Sequence, residues 1–228
     1  YGSRRVRGGW KRGAEHARIP QAEKVWWIDL DFLPRNVWLR DGEEVTRLRL
    51  AREPNWEESD PQDPMSEWWQ WEQPRWWEGQ NKTEIDGRPY HMAVDTKHLT
   101  GTAEDYVGAT VWTEWGIVMG SPYPHPIKAF DPDRNAVAFG GPWVIHASEQ
   151  IITGNRYYLE DRPFWLDSPG EFWFDRRGSG GRLYVRLPGD ADPNQAILEV
   201  AEHIHLVDAE TLRHVEISGL TFRFTNVF

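Results

Sequence analysis

The sequence predicts an all-β fold, and three observations carry the prediction. Short alternations of apolar and polar residues recur, as in Val25-Trp-Trp-Ile-Asp-Leu30, Val45-Thr-Arg-Leu-Arg-Leu50 and Ala109-Thr-Val-Trp-Thr-Glu-Trp-Gly-Ile-Val118. Their period of two is that of a half-buried strand. Gly, Pro, Asp and Asn separate the runs, and 20 glycines and 16 prolines among 228 residues interrupt any long helix. Helical turns are expected at two places alone, Ser66 to Trp71 and Thr102 to Val107, each opened by a hydroxyl residue able to cap it.

Taken in order, the basic stretch SRRVRGGWKRG (3–13) reads as a solvated terminal arm or an edge strand blunted by charge. VWLRDGEEVTRLRL (37–50) is a hairpin, with Asp41-Gly42 as a two-residue turn between alternating flanks. SEWWQWEQPRWWEG (66–79) puts Trp68, Trp69, Trp71, Trp76 and Trp77 into ten positions. Asp131 to Asn135 forms a tight turn between Phe130 and Val137. Its oxygens alternate as in a calcium loop, but the later glycine and bidentate glutamate of such a loop are missing. GEFWFDRRGSGGRLYVRLPGD (170–190) is a second hairpin, with a longer glycine-rich turn between Phe172–Asp175 and Leu183–Leu187.

After Pro193 the texture changes. Apolar residues fall at Ile197, Val200, Ile204, Leu206 and Val207, then at Val215, Ile217, Leu220, Phe222 and Phe224. Coils of a parallel β-helix need this pattern, because each coil buries alternate side chains in a shared interior and cannot stand alone. The expected organisation is therefore a sandwich- or barrel-like β module over 1–195, with hairpins and a Trp-rich insertion, followed by the first coil or coils of a parallel β-helix over 196–228. An uncapped coil would expose an apolar strand edge, so self-association is expected.

Composition excludes several classes. A net charge of -10 leaves nothing to offset phosphate repulsion, so neither nucleic acid nor an anionic membrane is an expected partner. The chain has no cysteine, hence no disulfide, thiolate metal site or cysteine nucleophile. No apolar run of about 18 residues and no signal peptide is present, which places any export signal outside this chain. Asn81-Lys-Thr83 matches a glycosylation acceptor, a pattern short enough to arise by coincidence. FGGPW (139–143) lacks the Lys-Ser/Thr of a phosphate loop and RGSGG sits in a hairpin turn, so no cofactor is expected. His203 and His205 alternate in an expected strand without a third ligand, and no metal is expected. No Gly-x-Ser-x-Gly elbow supports a serine hydrolase.

What remains is carboxylates and tryptophans. Glu114, between Trp112 and Trp115, could have its carboxyl pushed toward that of a general acid by an aromatic wall, or could be an outward-facing acid in an alternating strand. Glu160, Asp161, Asp167 and Glu171 are equally explained by turns and by pairing with Arg156 or Arg162. Sugar rings pack their C–H faces on flat aromatics while acids and amides take the hydroxyls, so Trp68, Trp69, Trp71, Trp76, Trp77, Trp112 and Trp115, with Glu114, are candidate contacts for a neutral polysaccharide. The same rings could fill a core. Adjacent pairs such as Trp68-Trp69 and Trp76-Trp77 cannot both face one way if extended.

GNRYYLEDRPFWLDSPGEFWFDRRGSGGRLYVRLP (154–188) and HVEISGLTF (214–222) resemble the segment that leads into the right-handed parallel β-helix of a group of bacterial carbohydrate-active proteins. The group includes glycoside hydrolases of the xylosidase and xylanase type. RLRLAREPNW (47–56) and GSRRVRGGWKR (2–12) are similar to further parts of it. The resemblance implies that residues 57–150 form an inserted β-rich module and that catalytic carboxylates lie on coils beyond the GLTF strand, so no catalytic residue is assigned here. It further implies a secreted or periplasmic protein that degrades plant cell-wall polysaccharide, xylan-type chains first, with this chain flanking the cleft. The alternatives are a noncatalytic polysaccharide-binding module and a scaffold whose tryptophans are core.

Overall fold

The computed structural model describes residues 2–57, 60–72, 82–116, 122–140, 151–211 and 213–225. The chain divides into two compact units, Tyr1–Ala51 with Pro163–Phe228, and Arg52–Arg162. In sequence, the second is an insertion into the first. Strands dominate both units and the fold is all-β. Among the described residues, helix is limited to 3-10 turns and one α turn, α1 (Ala103–Tyr106), closed where the Thr102 N–H and Oγ1 both donate to Asp105 Oδ2. The helical turn expected at Ser66 to Trp71 is instead a run of turns ending in a strand, because Trp69 and Gln70 gain ladder partners there.

Strands are numbered along the chain. The first unit holds β1 (Ser3–Val6), β2 (Lys11–Arg12), β3 (Trp26–Leu30), β4 (Val37–Asp41), β5 (Glu44–Arg47), β6 (Arg49–Leu50), β15 (Glu171–Arg177), β16 (Gly180–Arg186) and β17 (Ile197–Ala201). They form two sheets, ordered β1-β17-β4-β5 and β2-β3-β16-β15-β6. Alternation aims Val37, Leu198 and Val200 of one sheet and Phe172, Leu183 and Val185 of the other into a single buried cluster, which makes this unit a sandwich. Each such side chain contributes about 1.5–3 kcal/mol. The basic β1 is an edge strand, with Arg4 paired to Asp31 and Glu202 and Arg5 to Glu199.

Both expected hairpins form, with shifted turns. Asp41 pairs with Glu44, so the first turn is Gly42-Glu43, one residue later than expected, and Gly42 takes the left-handed φ of 58° that the tight reversal needs. Arg177 pairs with Gly180, so the second turn shrinks to Gly178-Ser179. The strand can start on Gly180 and Gly181 because a Cβ at either would collide with the backbone carbonyls of Leu30 and Asp175, respectively. On the sheet face opposite the core, Lys11, Trp27, Tyr184 and Trp173 form one cross-strand row, and the Trp27 ring lies 4.4 Å from Lys11 Nζ and 3.5 Å from Arg182 Cζ. The Arg182 guanidinium is held above its ordinary range, chiefly by its hydrogen bonds to Asp29.

Within 196–228, β17 pairs antiparallel with β1 and with β4. No strand lies among the described residues from 202 to 225, so His203 and His205 do not alternate in one. Ile204, Val207, Val215, Ile217, Leu220 and Phe222 are exposed, whereas Phe224 is buried against the Trp38 ring at 5.2 Å.

The second unit holds β7 (Arg52–Glu53), β8 (Trp69–Gln70), β9 (Lys82–Ile85), β10 (Arg88–Val94), β11 (Thr110–Thr113), β12 (Tyr123–Asp131), β13 (Ala136–Phe139) and β14 (Arg156–Glu160). One antiparallel sheet runs β7-β14-β11-β12-β13-β10-β9, with β8 also on β14. Asp86-Gly87, with φ of 52° and 71°, joins β9 to β10 in the two-residue geometry that an Asp-Gly pair favours. Asp131 to Asn135 is the tight turn expected, the Asp133 N–H donating to Asp131 Oδ1. Val111, Tyr157, Leu159, Ile127 and Phe139 are fully buried in this unit.

Candidate functional site: an aromatic face on the inserted sheet

Register decides which side chains of the inserted sheet stand together. Trp112 lies opposite Tyr158, Thr110 opposite Glu160, Arg52 opposite Glu160 and Gln70 opposite Arg156. Cross-strand partners share a face, and alternate residues along a strand return to it. Arg156, Tyr158 and Glu160 therefore stand with Trp112, Arg52 and Gln70, while Tyr157, Leu159, Val111 and Thr113 point into the core. Pro124 and Pro126, opposite Trp112 and Thr110, extend the same face and are exposed. Trp112, Tyr158, Trp68 and Trp56 are half-buried.

Tyr158 is the centre of this face. The buried Arg52 places its guanidinium carbon 3.6 Å from the Tyr158 ring, and 5.4 Å and 5.6 Å from the rings of Trp56 and Trp68. A cation over ring faces is attracted by their quadrupoles, so Arg52 gathers the three rings. Trp68 meets Tyr158 edge-on at 4.5 Å, and Trp112 lies parallel to it at 6.0 Å. The Trp112 indole Nε1 donates to Glu160 Oε1 at 2.7 Å, which fixes the rotation of its ring.

Beside the rings is a three-residue ionic cluster. Glu114 is 0% exposed and accepts from the Arg156 backbone N–H at 2.8 Å, from Nε at 3.1 Å and from Nη2 at 2.9 Å. Arg156 Nη1 donates to both oxygens of Asp63 at 2.7 Å. The Glu114 hydrogen bonds, followed by those of Asp63, raise the Arg156 guanidinium above its ordinary range, so it is charged at every working pH. The expectation of an outward-facing acid at Glu114 is corrected. The strand β11 ends at Thr113, the Glu114 N–H bonds the Arg156 carbonyl, and the side chain turns inward onto the guanidinium.

The remaining candidates separate. Trp71 is 1% exposed, stacked on Tyr157 at 3.4 Å with its Nε1 donating to Thr113 Oγ1, and is core. Trp69 pairs with Tyr157 and stacks on His98 at 4.3 Å. There the buried Asp95 accepts from the Tyr157 hydroxyl and from His98 Nδ1, each at 2.7 Å. Trp115 meets His91 and His125 edge-on at 4.9 Å and 5.2 Å. Trp76 and Trp77 lie outside the described residues. Of the candidates read from sequence, Trp68, Trp112 and Glu114 come together, and Trp69 and Trp71 lie on the other side of the sheet. Tyr158, Trp56, Arg52 and Asp63 were not anticipated. The alternation of Arg156-Tyr-Tyr-Leu-Glu160 carried a signal for Tyr158, but nothing local marked the other three.

Among the described residues, no group of three or more His, Asp or Glu side chains could hold a metal ion, and no helix is long and apolar enough to cross a membrane. No family model matches the chain and no curated protein matches its sequence. A solved structure described as "Glycoside hydrolase" superposes on 90% of this chain with a TM-score of 0.55 and 15% identity. The chain spans 32% of that structure's length. At that identity the likeness is one of fold: this all-β architecture is similar to part of a glycoside hydrolase.

Proposed function

We propose that the chain recognises a polysaccharide as the cleft-flanking part of a glycoside-hydrolase-type protein. The observation that carries this reading is the Trp112–Tyr158–Trp68 face bordered by the carboxylates of Glu160 and Asp63. Half-exposed rings take the C–H faces of a sugar chain, and carboxylates at their rim accept its hydroxyls. The fold likeness supports the same class. In this reading the glycan is a plant cell-wall chain, xylan-type first, and the protein is secreted by a bacterium. The hydrolytic carboxylates then sit on coils of a right-handed parallel β-helix and not on the sheets described above.

The second reading, a noncatalytic binding module, is favoured by Glu114. The one acid singled out for chemistry has both oxygens engaged by Arg156.

Tryptophan fluorescence titrated with xylo-, cello-, galacto- and manno-oligosaccharides tests the shared part of both readings. A saturable shift with one glycan, weakened about 2- to 12-fold in a folded Trp112→Ala variant, is expected, since a ring contact is worth about 0.5–1.5 kcal/mol. No shift with any glycan would overturn both. Release of reducing ends from xylan separates the hydrolase from the binding module.

A further inference from the structure

We propose that Asp63 is the positioning residue of the aromatic face: it clamps the Asp60–Trp68 segment onto the sheet and thereby seats Trp68 against Tyr158. The role of Trp68 in glycan contact rests on the function proposed above, but the clamp itself does not.

The segment buries little side-chain surface. Of residues 60–68, Asp63, Met65 and Trp68 are half-buried and the others are exposed. Its internal bonds are local turns, the Asp63 N–H donating to the Asp60 carbonyl, Ser66 N–H to the Asp63 carbonyl and Trp68 N–H to the Met65 carbonyl. Asp63 joins this chain of turns to the sheet. Its Oδ1 accepts both from the Met65 N–H at 3.2 Å and from Arg156 Nη1 at 2.7 Å. One carboxylate thus fixes Met65, whose carbonyl fixes Trp68, and ties the whole run to β14.

Arg156 is suited to be the fixed half of such a clamp. Its Nε and Nη2 edge is locked on the wholly buried Glu114, so Nη1 projects from the sheet in one direction whether or not Asp63 is bound. The Asp63 side chain is 45% exposed, which makes this the end that opens.

Asp63→Asn is the informative variant, because an amide oxygen keeps the acceptor for the Met65 N–H while the charge that holds Arg156 is lost. Hydrogen exchange at amides 63–70 of the full chain is expected to quicken about fivefold, the factor that a partly exposed ion pair is worth. The thermal midpoint is expected to move by no more than about 4 °C. Asp63→Glu, which keeps the charge, is expected to restore slow exchange in part. Exchange in Asp63→Asn equal to wild type would overturn the proposal and reduce Asp63 to a turn residue.

Should the variants not fold, the wild-type chain carries the test. From about 0.1 M to about 1 M salt the Debye length falls from about 10 Å to about 3 Å, and exchange at 63–70 should rise while that in β11 and β14 does not. A flat response overturns the clamp. A xylo-oligosaccharide titration of the same proteins separates the two ideas. Faster exchange with weakened binding supports both, whereas faster exchange in a chain that binds no oligosaccharide supports the clamp and overturns the glycan reading.

Discussion

Replacing Arg156 with Met tests whether the inserted sheet depends on a buried ion pair. The variant keeps the backbone N–H that donates to Glu114 but removes the Nε and Nη2 bonds, leaving a fully buried carboxylate without its counter-charge. Removing one partner of a buried pair costs about 3–5 kcal/mol, and the retained backbone bond places this case near about 3 kcal/mol. The Asp63 end, half open to water, adds about 0–1 kcal/mol. Together these come to about 3–4 kcal/mol, so for a chain of this size the midpoint should fall by about 6–16 °C, read by circular dichroism in thermal unfolding. Adding Glu114→Gln removes the stranded charge, so the double variant should be more stable than Arg156→Met alone, with a coupling energy of about 2 kcal/mol. A loss below about 1 kcal/mol for Arg156→Met, or additivity within about 0.5 kcal/mol, would refute the argument.

The two tryptophan classes should respond differently to truncation. Trp71→Ala is expected to cost about 3–5 kcal/mol because it opens a cavity against Tyr157 and removes the indole donor to Thr113 Oγ1, whereas the half-buried Trp112 should cost no more than about 2 kcal/mol in denaturant unfolding. Equal losses would mean that Trp112 is core as well. Burial beside Trp115 and Phe139 pushes the His125 imidazole below its ordinary value of 6.5, so the unfolded chain takes up its proton first as pH falls. That share of stability is present in full above about pH 6.5 and is lost as pH drops from there toward the lowered value. Urea midpoints at about pH 8 and about pH 5 should differ less in His125→Phe than in wild type, and an unchanged difference would contradict the assignment. The depressed carboxylates of Asp29, Asp31 and Asp190, each held down first by an arginine hydrogen bond, act below their ordinary 3.8 and do not overlap that window.

Much of this protein was legible along the chain. Alternation and turn residues determine an all-β fold, and they locate β3, both long hairpins, the Thr102 turn and the Asp131 reversal, because each depends on neighbours within a few positions. Exact turns depended on more than that. Asp41-Gly42 gave way to Gly42-Glu43 because the ladder pairs Asp41 with Glu44, and pairing across strands outweighs the preference of one dipeptide. The division of the chain at Ala51 and Pro163 is likewise tertiary, since the core that joins β4 to β16 and β17 is built from residues more than a hundred positions apart.

The site divides the same way. Composition determined that aromatic rings and carboxylates were present in plenty, and residue order that adjacent tryptophans would be split between faces if extended, because successive strand residues point to opposite sides. Which tryptophan went where was decided by register: Trp69 and Trp71 against Tyr157 on the core side, Trp68 and Trp112 around Tyr158 on the other. Arg52 under Tyr158, and Arg156 between Glu114 and Asp63, join residues 42 to 106 positions apart. Such contacts exist through sheet pairing, and no local pattern in the sequence encodes them.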